Sequence, residues 1–146
     1  MSVQVMGLDA MSEEGGISEG LAVEVSEQVS PSQTASHVGS GGLRVYATPA
    51  MVRFVERSCF RLLEARLPKG KTTVGVEIQL QHLAPTPVDK EVHLRAEVTA
   101  VVDNRVEFHY EVRDDLEVVG RGKHTRAIID LDRFLARVKS KSEQLT

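Results

Sequence analysis

Apolar and polar residues alternate along most of this 146-residue chain, and one segment breaks the alternation. Leu21, Val23 and Val25 predict a first strand within Leu21–Val29. Val74, Val76, Ile78 and Leu80 alternate with Gly75, Glu77, Gln79 and Gln81, and His82 is next in phase. Val92, Leu94, Ala96, Val98 and Ala100 predict a long strand over 91–102. Val106, Phe108, Tyr110 and Val112 predict another, and residues 117–130 the last. A period of two is the mark of a strand with one buried face. Asp103-Asn104 and Asp114-Asp115 are turn sequences, and such short connections predict an antiparallel sheet.

The exception runs from Thr48 to Leu67, where the period becomes helical. Thr48 suits an N-cap, Pro49 suits the first helical turn, and Pro68-Lys69-Gly70 is a stop. At 100° per residue, Val52, Val55, Cys59, Leu62 and Leu63 share one arc, while Arg53, Arg57, Arg61 and Glu64 share another that faces water. Glu56 falls at the margin of the apolar arc, beside Val52 and Leu63. A carboxylate on a buried face costs several kcal/mol unless it is paired or neutralised. That marks Glu56 as a functional candidate, with an ion pair to Arg66 or Arg126 as the structural alternative.

The flanks have little periodicity. Residues 1–19 are rich in Gly, Ser and Glu and read as a disordered N-terminal tail. Residues 30–42, SPSQTASHVGSGG, read as a turn-rich loop, flexible at Gly39–Gly42. Leu131–Lys139 predicts a short amphipathic helix, and 141–146 a C-terminal tail. The expectation is one α+β domain over residues 20–140, with a five-stranded antiparallel sheet around one long helix. The edge of such a sheet is a place for a second copy to pair, so a homodimer is expected.

Composition removes several functions. Aromatics make up 4% of the chain and Trp is absent, which argues against a base-stacking platform. A net charge of -3 gives no basic footprint for nucleic acid. The single cysteine, Cys59, excludes an internal disulfide, fits a reducing cytoplasm, and reads as a core residue. No apolar run approaches the roughly 20 residues of a membrane span, and no basic-then-apolar leader opens the chain. His37, His93, His109 and His124 have no metal-ligand spacing, so no metal is expected.

Three chemistry-bearing residues converge: Thr48 at the helix start, Glu56 in the helix and His82 at the strand end. The segment around them, VYATPAMVRFVERSCFRLLEARLPKGKTTVGVEIQLQHLAPTPVDKEV, resembles the fluoroacetyl-CoA thioesterase-like hotdog proteins. So does VVGRGKHTRAIID, followed by DRFLARVKSK. The resemblance covers about residues 43–140. It implies the hotdog fold, an acyl-CoA substrate, and Thr48, Glu56 and His82 as the catalytic set. Gly75 and Arg126 match further family positions on the substrate side. The loop His37–Gly42 departs from the pattern, because the aromatic residues of the family's best-known member have no counterpart there.

Thioester hydrolysis needs a nucleophile or base, which Glu56 supplies, and donors for the oxyanion. His82 can then move a proton, and Thr48 can orient Glu56 or the substrate carbonyl. The expectation is a thioester hydrolase for small or short acyl-CoA, cytoplasmic, with coenzyme A entering only as part of the substrate and no separate cofactor. Binding of acyl-CoA without turnover is the first alternative, and an acyl-CoA hydratase or dehydratase the second. If Glu56 is an unpaired carboxylate on an apolar face, Glu56→Ala should abolish hydrolysis and leave stability equal or higher.

Overall fold

The computed structural model describes the backbone of residues 2–6 and the chain over 16–145. In chain order the elements are β1 (Ser2–Met6), β2 (Ala22–Gln28), a 3-10 turn (Pro31–Gln33), α1 (Ala35–Val38), α2 (Thr48–Glu64), β3 (Lys71–His82), β4 (Glu91–Val102), β5 (Arg105–Arg113), β6 (Val118–Asp130) and α3 (Leu131–Gln144). One antiparallel sheet takes the order β1-β2-β4-β5-β6-β3. β4 and β5 meet through the two-residue turn Asp103-Asn104, with Asp103 in the left-handed region at φ 55°.

α2 packs against β2, β3, β4 and β6, and the core lies between helix and sheet. Its buried side chains are Met51, Phe54, Val55, Ser58, Cys59, Leu62 and Leu63. They meet Val23, Val25, Leu94, Val98, Phe108 and Val112 from the strands. Each large apolar side chain buried here contributes roughly 1.5–3 kcal/mol.

Four expectations change. The apolar stripe of α2 is turned toward Met51, Phe54 and Ser58, and Val52 is only half-buried. Ser58 tolerates burial because its hydroxyl donates to the Phe54 carbonyl at 2.8 Å. Arg57 is not on the water face but pairs with Glu27 at 2.9 Å. The loop over 30–42 holds two ordered pieces. Thr34 caps α1 by accepting from the His37 N–H, and Gly39 ends it at φ 81°. Finally, the chain ends are more regular than expected. α3 extends to Gln144, started by Asp130, whose carboxylate accepts from the Arg133 N–H. Ser2–Met6 forms a sixth strand beside β2 within the span read as a tail, and residues 7–15 of that span lie outside the described residues.

β3 carries a bulge. Gly75 pairs with Arg126 and Glu77 with Thr125, so Val76 is the extra residue. Val74 and Val76 therefore do not continue the inward face of Ile78 and Leu80. Thr73 and Gly75 face α2 before the bulge, and Ile78, Leu80 and His82 do so after it. Val76 is 41% exposed.

Candidate active site

Thr48 and His82 are brought together. The Thr48 hydroxyl lies 2.7 Å from His82 Nδ1. Ala47, not Thr48, holds the N-cap position, and no side chain caps the helix there. The hydroxyl expected to cap the helix is engaged with the imidazole instead. The Tyr46 ring meets the His82 ring edge-on, with centroids 6.5 Å apart and planes at 75°. Burial lowers the His82 pKa below its ordinary value, against a smaller opposing effect of the Ala84 backbone hydrogen bond. That direction favours the neutral imidazole.

Glu56 forms a second group, with Arg126 and Gly75. The Glu56 side chain is 44% exposed, so the burial expected of it does not occur within one chain. The turned stripe explains this, since Glu56 falls past its edge. Arg126 Nη1 lies 3.8 Å from Glu56 Oε2, and the Arg126 side chain is itself 7% exposed. Of the two arginines considered as partners, Arg66 is occupied otherwise, donating to the Gly16 carbonyl at 2.7 Å. Arg126 Nε donates to Thr73 Oγ1 at 2.8 Å, Nη2 to the Thr73 carbonyl at 3.2 Å, and the guanidinium lies 5.5 Å from the Phe60 ring centroid. Burial lowers its pKa from the ordinary value, and the Glu56 charge acts the other way. An arginine stays charged regardless.

Gly75 is where strand and carboxylate come closest. A Cβ there would stand 2.7 Å from Glu56 Oε2, 3.4 Å from Arg126 Nη1 and 3.5 Å from His124 Cε1. Absence of a side chain lets the backbone approach the carboxylate. Beside this group an open cleft of about 430 Å³ is lined by Pro49, Val52, Arg53, Glu56, Arg57, Phe60 and Arg126. Its walls combine apolar surface with one carboxylate and three cations.

The five site residues expected from the sequence thus form two groups, Thr48 with His82 and Glu56 with Gly75 and Arg126. Among the described residues no hydrogen bond joins the two. Cys59 is fully buried and its thiol pKa is pushed up by that burial, which leaves no reactive thiolate. Thr73, Phe60 and His124 were missed. His124 was legible in principle, since it stands two residues before Arg126 on a strand and so shares its face.

A different imidazole cluster lies on the outer face of the sheet. His93 Nδ1 is 2.8 Å from the Ser26 hydroxyl and Nε2 is 3.0 Å from Asp115 Oδ1. The Asp115 side chain is 84% exposed, so water screens this cluster. Among the described residues no three His, Cys, Asp or Glu side chains gather as metal ligands.

One helix held by an antiparallel sheet is the hotdog fold. Solved structures agree: a hot-dog-like protein from Thermanaerovibrio acidaminovorans superposes with a TM-score of 0.81 at 23% identity, covering 93% of this chain and 97% of that one. A crystal structure of a fluoroacetyl-CoA thioesterase matches with a TM-score of 0.79 at 30% identity, over 86% and 98% of the two chains. The fluoroacetyl-CoA thioesterase of Streptantibioticus cattleyicolor is 34% identical over 98 residues, 67% of this chain and 70% of that protein. The family model described as fluoroacetyl-CoA-specific thioesterase matches residues 29–132. The chain belongs to this family of thioester hydrolases with the hotdog fold.

Proposed function

We propose that this protein hydrolyses the thioester of a small or short acyl-CoA, with Glu56 as nucleophile or general base and Thr48 and His82 in support. The observation that carries this is Glu56 itself. It is a carboxylate open to a cleft, beside a cation fixed by other residues, in a member of a thioesterase family. As nucleophile, a Glu56 oxygen attacks the thioester carbonyl, coenzyme A leaves as thiolate and takes a proton, and water cleaves the anhydride. As base, Glu56 removes a proton from the attacking water. Neutral His82, held by Thr48, serves as proton carrier in either route. In this reading the Thr48 hydroxyl also orients the substrate carbonyl oxygen. Gly75 and Arg126 form the wall on the substrate side. Coenzyme A enters as part of the substrate, with no separate cofactor or metal, in a cytoplasmic setting.

The working form is a homodimer. β3 stands at the edge of the sheet order, Val76 is exposed on it, and Gly75 of the same strand stands against Glu56 of the cleft. A second copy docked there would enclose the cleft, bury its apolar walls and exclude water from the reaction.

The test is thiol release from short, branched, aromatic and halogenated acyl-CoAs, with Glu56→Ala as control, on protein whose mass is measured by sedimentation. Turnover of at least one short acyl-CoA by a dimer, absent in Glu56→Ala, is expected. Binding without thiol release, or full turnover by Glu56→Ala, would overturn the assignment. A hydroxylamine quench separates the two routes, because only the nucleophile route leaves a hydroxamate on Glu56.

A further inference from the structure

We propose that His124 is a positioning residue for the site, a neutral hydrogen-bond acceptor that fixes the Arg126 guanidinium beside Glu56. This rests on the thioesterase reading of that site. His124 is 1% exposed and projects from β6 on the same face as Arg126. Its Nδ1 lies 2.7 Å from the Glu77 carbonyl oxygen. A carbonyl only accepts, so Nδ1 carries the proton. Nε2 is then the nitrogen with a lone pair, and it lies 3.1 Å from Arg126 Nη1, which only donates. Both contacts are satisfied by one state alone, neutral imidazole protonated on Nδ1. An imidazolium would set N–H against N–H. Burial lowers the His124 pKa, and the Arg126 charge adds to this, against the Glu77 hydrogen bond.

The geometry divides the work on Arg126. Thr73 takes Nε and Nη2, which fixes one side of the guanidinium plane. His124 takes one hydrogen of Nη1, the nitrogen nearest Glu56, and so sets the tilt of the plane and the direction of the remaining hydrogen. Glu77, whose carbonyl holds His124, directly follows the bulged Val76. A continuous path therefore runs from the bulge through Glu77, His124 and Arg126 to the carboxylate. Gly75 stands at the point where His124, Arg126 and Glu56 converge.

Two near-isosteric substitutions separate this role from packing. His124→Gln can place an amide oxygen at the position of Nε2, keeping the acceptor toward Arg126. His124→Asn places an amide nitrogen at the position of Nδ1, keeping only the donor toward Glu77. The expected result in the thiol-release assay is a kcat near wild type for His124→Gln and a kcat about 30-fold lower for His124→Asn, as for a misaimed catalytic group. KM should be nearly constant in both. Equal losses in the two variants, or a wild-type kcat in His124→Asn, would overturn the proposal. Nitrogen NMR of the wild-type imidazole needs no variant to fold. A protonated Nδ1 and bare Nε2 at neutral pH are expected, and a protonated Nε2 would overturn the proposal equally. A wild-type protein that releases no thiol would sink the thioesterase reading while leaving the tautomer result standing.

Discussion

Glu27 and Glu56 each face an arginine at a flank of α2, and the two pairs are built in opposite ways. Glu27 is 8% exposed and accepts from Arg57 Nη2 at 2.9 Å and from the Tyr46 hydroxyl at 2.9 Å. Its acceptor sites are occupied, and its cation keeps 27% exposure. At Glu56 the cation is the buried partner, anchored by Thr73 and His124, and the carboxylate is left open at 3.8 Å from it. A carboxylate saturated at hydrogen-bond distance ties elements together. One aimed by a cation that others hold keeps its lone pairs for chemistry. Glu56 and Arg57 are neighbours in sequence, and the 100° between them sends one to each pair.

The largest effect that would break this contrast concerns Glu56→Ala. Loss of kcat by about 10³-fold or more is expected in the thiol-release assay. Thermal melting should shift by only a few degrees, downward, because Arg126 loses a charge partner but keeps Thr73 and His124. The neutral or stabilising outcome expected from a buried, unpaired Glu56 no longer applies. A large fall in melting temperature would make the two carboxylates alike.

Glu27→Ala should do the reverse. Leaving Arg57 and the Tyr46 hydroxyl without their acceptor costs about 3 kcal/mol, toward the lower end for a broken buried pair because Arg57 is partly exposed. That corresponds to a drop of about 10 °C in melting temperature. Most of kcat should remain in the folded protein. A selective loss of kcat would show that the Tyr46 contact with His82 carries more than support.

Gly75→Ala sharpens the comparison from the strand side. The new Cβ would displace the end of a half-exposed Glu56, so the fold should persist while kcat drops about 100-fold. Wild-type kcat would mean that the placement of Glu56 over Gly75 does not matter.

The smallest effect is on pH. The His82 and His124 pKa values are both lowered by burial. Below about pH 6.5, the ordinary imidazole value, the unfolded chain binds protons that the folded chain does not. Stability from these groups is therefore complete above that pH and falls as pH drops toward their folded values. The slope is at most about 1.4 kcal/mol per pH unit for each, and less for half-exposed His82. Melting from pH 7 to 5 checks this, and His124→Gln should flatten the decline.

Much of the fold was written in local pattern. β4 was legible as a strand because Val92, Leu94, Ala96 and Val98 alternate and a two-residue turn closes it, while the bulge at Thr99 that takes Ala100 out of phase was not. The start of α2 was legible from Thr48-Pro49, but not its buried face, since Ser58 reads as polar until its back-bond to Phe54 is seen. The Thr48, Glu56 and His82 set came from spacing joined to family resemblance, and the structure pairs only Thr48 with His82. The Glu27–Arg57 pair was hidden because it joins β2 to α2, and periodicity within one element carries no information about a partner 30 residues away.

Residue 76 acts on β3 as an inserted letter acts on a reading frame. Odd positions face the helix before it, and even positions after it. Thr73, Gly75, Ile78 and His82 can share one face only because the count slips there. A chain lacking Val76 would pair without the bulge and keep Ile78, Leu80 and His82 on the helix side, whereas a residue lost elsewhere between Gly75 and His82 would turn those beyond it to the wrong side of the sheet. In aligning relatives, a one-residue gap at this place therefore keeps the inward face in phase, and a gap elsewhere in the strand outweighs several substitutions.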